Sequence, residues 1–214
     1  MVKDMYSLRR GFHLKIRHLI FDLDGTLIHL PVNWTHVKHE VSSFLARNVD
    51  SLIQLYSEIW RNKELFKKVS DIVEKHELEA TRYVKILDDA PEVLRSLKEK
   101  YSISLVTLQS KNVAERILAY MDVRELFKVI ITRENVPIRS EQIRLVLKLT
   151  NFKPEETLVI GDLLNDINSA LIVGCKAVLI KREWVHSSIK ENPNIKVIKS
   201  LKELPYVLRD FSNS

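Results

Sequence analysis

An α/β fold is predicted: a Rossmann-like, mostly parallel sheet sandwiched by helices, with a small all-helical segment inserted after the first strand. Two observations predict it. From Asp88 onward short apolar runs alternate with helical stretches, the pattern of parallel strands joined by covering helices. Between Pro31 and Lys85 that alternation stops and only helical spacing remains. With 214 residues, 45% of them hydrophobic, the chain can build a core and carry an insert. The expected division is a core of residues 1–30 and 86–214 and an insert of residues 31–85.

The first strand is expected over 17–22, where the apolar run RHLIF leads into DLDGTL. In the insert, Val37, Val41, Phe44 and Leu45 have helical spacing, as do Leu52, Leu55, Tyr56 and Ile59, then Leu65, Val69, Ile72 and Val73. Three such amphipathic helices must bury their stripes against each other or a neighbour. Beyond them a helix is expected over 90–98, with Pro91 in its first turn. Strand 102–108, helix 113–120, strand 128–132, helix 140–149, strand 157–160, helix 166–173 and strand 177–180 follow. A weak strand over Ile195–Ile198 and a helix over 201–208 come after these. Ligand sites in such sheets lie beyond the carboxyl ends of the strands.

Polar residues gather at those ends. Asp22 and Asp24 are two apart, so in near-extended chain both point into one mouth, and Gly25 permits a sharp turn behind them. A carboxylate pair at a strand end suits metal binding or nucleophile-plus-acid chemistry. Asp162 sits at the end of the strand TLVI, in the run GDLLNDI, and Asp166 falls near the start of the next helix, where it can accept from backbone donors. Four carboxylates converging on one mouth repel unless a cation neutralises them. A hard, oxygen-seeking ion such as Mg2+ fits, because no Cys or His is spaced to hold zinc. Thr107 ends another strand with a hydroxyl suited to a phosphoryl oxygen. Arg139 is the best-placed cation, ahead of a helix that Ser140 is expected to cap; Lys176 and Lys181 are weaker alternatives.

Composition narrows the partners. No apolar run approaches a membrane span, and the first fifteen residues lack the sustained apolar stretch of a secretory signal. The single cysteine, Cys175, excludes an internal disulfide framework and fits the cytoplasm; it reads as a buried small hydrophobe. A net charge of +6 favours anionic partners in general. The lysines are scattered along helical segments without a nucleic-acid motif. Neither nucleic acid nor a membrane is an expected partner, and the expected assembly is a monomer or homodimer.

In order, DLDGTL, Thr107 at a strand end and GDLLND resemble the motifs of the haloacid-dehalogenase-like hydrolase superfamily, and the inserted helices resemble its capped, phosphoglycolate-phosphatase-like branch. The resemblance implies a Mg2+-dependent phosphatase acting on a small phosphorylated metabolite, a phosphomonoester. It makes Asp22 the nucleophile and Asp24 the acid–base residue, with Asp22, Asp24, Asp162 and Asp166 around the metal. Thr107 then binds the phosphoryl group and Arg139 stands for the usual motif lysine. A phosphosugar mutase using the same nucleophile is the alternative reading, and a non-catalytic phosphate-binding protein a third. The chain departs from the pattern at Arg139, at Leu108 and Gln109 where asparagine is usual, and at His29 where an acid is common.

Three further features stand outside that core. Of His29, His36 and His39, only the last two share a helical face, and surface or cap packing is expected for them. Trp34 is expected to seat the insert on the core, and Trp60 and Trp184 to pack.

Overall fold

The computed structural model describes residues 15–183 and 192–213, so Trp184 lies outside the described residues. Among the described residues six strands form one parallel sheet: β1 (His18–Phe21), β4 (Ser102–Val106), β5 (Phe127–Ile131), β6 (Thr157–Gly161), β7 (Lys176–Ile180) and β8 (Ile195–Ile198). Their order is β5-β4-β1-β6-β7-β8, with β1 paired in parallel to both β4 and β6. Renumbered within the sheet this is 3-2-1-4-5-6, the doubly wound order whose direction reverses at β1. The crevice at that reversal opens between the carboxyl ends of β1 and β6, just where Asp22 and Asp162 follow their strands.

Strand alternation divides the core. Leu19, Phe21, Leu105 and Ile160 face one layer, made by α4 (Ala90–Lys98), α5 (Lys111–Tyr120) and α8 (Leu204–Asn213). Ile20, Val159 and Leu179 face the other, made by α6 (Arg139–Thr150) and α7 (Leu164–Val173). Residues two apart in a strand share a face, so a continuous apolar run is what a sheet covered on both sides requires. Cys175 is buried and free, as expected, and burial pushes its thiol up to about 12.

The insert folds as an all-helical cap after the first strand, from α1 (Trp34–Leu45), α2 (Leu52–Ile59) and α3 (Lys63–Ala80). Asn33, Ser51 and Asn62 cap them, each side chain accepting a backbone N–H of its first turn, which satisfies donors the helix cannot pair itself. Their buried stripe of Val37, Val41, Tyr56, Val69 and Val73 forms a cluster separate from both core layers. Phe44 is exposed rather than part of that stripe, while Phe66 of α3 is buried in the cap cluster. Two short strands, β2 (Ile28–His29) and β3 (Lys85–Ile86), pair antiparallel where the chain leaves and re-enters the core. Two residues are too few to show strand alternation in a sequence. The helix expected over 201–208 is a 3-10 turn, Leu201–Glu203, running into α8.

Ser140 does not cap α6. The helix begins at Arg139 itself, with Ile138 at the cap position and no side-chain cap bond. Neither Lys176 nor Lys181 is among the residues that line the mouth. Lys176 starts β7 at the far end of the sheet, its ammonium 4.7 Å from the centre of the Phe211 ring, and Lys181 is exposed. Among the described residues no helix is long and apolar enough to cross a membrane.

Candidate functional site

Asp22 follows β1 with its N–H donating to Ile160 O at 2.9 Å. The turn behind it depends on Gly25, whose φ of +80° suits a residue without Cβ. A Cβ there would also collide with the Asp162 carboxylate, and one at Gly161 with the Asp166 carboxylate. Both glycines therefore keep space for acidic side chains. Arg182, which the sequence reading passed over, braces the turn by donating to Gly25 O at 2.8 Å and Thr26 O at 3.1 Å, and to Asp88 at 2.8 Å.

Oxygens of Asp22, Asp162 and Asp166 lie within 4.8 Å of one another, all three side chains buried. Arg139 crosses from the start of α6 to hold two of them: Nη2 donates to Asp22 Oδ1 at 2.6 Å, and Nε lies 2.8 Å from Asp166 Oδ1. Its Nη1 donates to Gln142, which in turn donates to Thr107 O at 2.8 Å. Asp166 also accepts the Leu163 N–H at 3.1 Å, the helix-start bond expected of it. Among the described residues Arg139 pairs with two of these three buried carboxylates, Asp22 and Asp166. Burial pushes Asp22 and Asp166 up, and Arg139 opposes this in both. A hard divalent cation fits such an all-oxygen donor set.

The Asp24 side chain points elsewhere. Its Oδ1 accepts the Leu30 N–H at 2.8 Å. Burial raises its carboxyl to about 7, against that hydrogen bond, with Asp162 and Glu77 adding to the rise. Asp22, Asp24, Asp162 and Arg139 all line one cavity of about 500 Å³, which runs from the carboxylates to the cap. Thr107 is buried just behind it. Its hydroxyl donates to Gln109 Oε1 and accepts the Gln109 N–H at 3.1 Å. Leu108 and Gln109, rather than Thr107, form the wall.

Two groups were not recognised as a pair in the sequence. Arg133, beyond β5, and Glu77, on α3, form a buried ion pair at 2.7 Å across the cap–core boundary. Arg133 also donates to Ser70 Oγ and Leu108 O, and Ser110 N–H approaches Glu77 at 3.4 Å. Nothing in local spacing links positions 56 residues apart. Among the histidines, His36 meets His76 on α3, ring centres 5.3 Å apart, instead of acting with His39. His76 lies 2.7 Å from Glu40, tying α3 to α1. His29 and Trp34 line the cavity, and Trp60 packs against the cap cluster.

A family model described as haloacid dehalogenase-like hydrolase matches residues 19–180. PpaX of Caldanaerobacter subterraneus subsp. tengcongensis, a protein named as a pyrophosphatase, is 30% identical over 187 residues, covering 78% of this chain and 83% of that one. A HAD phosphatase from Thermococcus onnurineus aligns with a TM-score of 0.60 at 23% identity, over 90% of this chain and 98% of that chain. The HAD-hydrolase YfnB of Bacillus subtilis, solved bound to magnesium, aligns with a TM-score of 0.61 at 18% identity, over 91% and 99%.

Proposed function

The chain belongs to the haloacid dehalogenase-like hydrolases, and from that premise we propose that it is a magnesium-dependent phosphatase cleaving a small organic phosphomonoester through an aspartyl-phosphate on Asp22. The observation that carries the reading is the trio Asp22, Asp162 and Asp166 at the sheet's reversal point, opening with Asp24 onto one cavity. The Asp22 carboxylate attacks phosphorus while Asp24 gives its proton to the departing alcohol oxygen, and the bond from phosphorus to that oxygen breaks. Water then attacks the same phosphorus as Asp24 takes up its proton. The bond to Asp22 breaks, and inorganic phosphate leaves.

Asp22, Asp162 and the backbone carbonyl of Asp24, with Asp166 behind them, would hold magnesium, which offsets the repulsion between carboxylate and phosphate dianion. Arg139 keeps Asp22 and Asp166 in register as a positioning residue. Thr107 binds the phosphoryl group once its hydroxyl leaves Gln109. The proposal assigns residues 1–30 and 86–214 to the core and 31–85 to a cap that shields the reaction from bulk water. It places the enzyme in the cytoplasm as a monomer or homodimer. Phosphoglycolate and pyrophosphate are both on the substrate panel, the first from the motif resemblance and the second from the PpaX name.

The test is phosphate release from small phosphomonoesters with and without magnesium, beside Asp22→Asn. Magnesium-dependent turnover lost in the variant supports the reading. Turnover that survives in Asp22→Asn removes the assigned nucleophile.

A further inference from the structure

The cavity is larger and more apolar than phosphate chemistry needs. At about 500 Å³ it falls within the ~300–1,000 Å³ of pockets that take a whole organic ligand, more room than a phosphoryl group and a two-carbon acid fill. Beyond the carboxylates its wall is built by Leu30, Val32, Leu52, Ile53, Val73 and Leu108. Trp34 and Tyr56 add aromatic faces to the same wall. Trp34 opens α1 and is 36% exposed, a large apolar surface left beside the cavity.

Charge points the same way. Among the described residues Arg139 is the cation at the phosphoryl end, and Asp22 and Asp166 already engage it. Arg133 is neutralised by Glu77, and Glu77, not Arg133, lines the cavity. Lys38 and His29 also line it. Away from Lys38, a second phosphate or a carboxylate would lie against aliphatic wall beside Glu77. Burying an unpaired charge in that setting is costly.

We infer that this wall binds the alcohol half of the substrate, and that this half is a bulky, ring-bearing apolar group rather than a second anion. The inference rests on the phosphatase reading and names its substrate class. Apolar groups gain by leaving water for such a wall, and rings gain further from edge or offset contact with Trp34 and Tyr56. The reacting end is unchanged, since the alcohol departs with the proton from Asp24 whatever its carbon skeleton.

Alkyl esters test this without the bias of a good leaving group. Benzyl and 2-phenylethyl phosphate are compared with methyl phosphate, glycerol 3-phosphate, phosphoglycolate and pyrophosphate in the full-length enzyme with magnesium. We expect kcat/KM for the ring-bearing esters at least tenfold above every polar compound. In Leu52→Asn and Ile53→Asn the ratio of benzyl to methyl phosphate kcat/KM should fall about tenfold, the scale of a lost methylene or more in an apolar pocket. Polar esters turned over with benzyl phosphate no better than methyl phosphate would overturn the substrate class and leave the phosphatase standing. So would a preference for phosphoglycolate or pyrophosphate that disappears in Lys38→Ala, because the cavity would then read a second anion. No phosphate from any compound, methyl phosphate included, removes the phosphatase reading and this inference with it.

Discussion

Arg133 Nη1 lies 2.7 Å from both carboxylate oxygens of Glu77, and neither side chain is more than 1% exposed. This pair fastens α3 of the cap to the loop after β5 of the core. Replacing one partner strands the other charge in a dry site, which typically costs about 3–5 kcal/mol. Arg133→Met and Glu77→Met should each lose stability on that scale in urea unfolding. The double variant should lose less than the sum of the two. Strict additivity would mean the pair is not coupled.

Arg139 reaches Asp22, Asp166 and Gln142 with three different nitrogens. A lysine ammonium is a single point charge and cannot span that fork. Arg139→Lys should therefore lower kcat/KM by about 10–100-fold, the usual cost of disturbing groups that orient a metal site. Circular dichroism should show the fold retained. Wild-type activity in Arg139→Lys would show that charge alone suffices.

Magnesium should stabilise the folded chain by binding it and not the unfolded one. At a hundred times its dissociation constant the gain is about 2.7 kcal/mol, read as a rise in Tm that EDTA reverses. Asp162→Asn, with an acid removed from the trio, should lose most of the rise. An equal rise in wild type and variant would place the ion elsewhere.

Gly161 isolates the crowding of the trio from backbone strain, since its φ is not positive. A Cβ there runs into the Asp166 carboxylate. Gly161→Ala should cost about 1–3 kcal/mol, as overpacking does, and should weaken the magnesium-dependent rise in Tm. A neutral substitution would mean that Asp166 moves aside freely.

His18 supplies a pH effect remote from the site. It is buried on β1, with Nε2 2.9 Å from Ser104 Oγ and its ring stacked on Phe152 at 4.7 Å. Burial, then Lys128, lowers its pKa from 6.5 to about 4. The unfolded chain thus takes up a proton at a pH where the native one does not. Its contribution is fully present above pH 6.5 and is lost as pH falls toward 4, about 3 kcal/mol in all. In His18→Gln the acid limb between pH 6.5 and 4 should flatten. An unchanged slope would assign the limb to other groups.

Much of the candidate site's layout was legible because its signals are local. Asp22, Asp24 and Gly25 are consecutive features of one strand end and turn, and Asp162 and Asp166 bracket one strand-to-helix junction. Arg182, Arg133 and Glu77 were not legible, because each finds its partner across dozens of residues. The start of α6 was misplaced by one residue because Ser140 is a good cap by type. The chain instead begins the helix at Arg139, and the Gln142 N–H donates to Ile138 O at 2.9 Å.

By itself the sequence determined the alternation of strands and helices, the helical insert, and which carboxylates end β1 and β6. Period, turn chemistry and hydrophobic spacing act over a few residues, so they are written in the order of the chain. Only the tertiary structure decided that Arg139 meets Asp22 and Asp166, that Arg133 locks to Glu77, and that the wall above the carboxylates is apolar. Those outcomes depend on the strand order, which reverses at β1 and brings two distant strand ends side by side. They depend equally on how the cap packs over that reversal, where burial sets the strength of every charge beneath it.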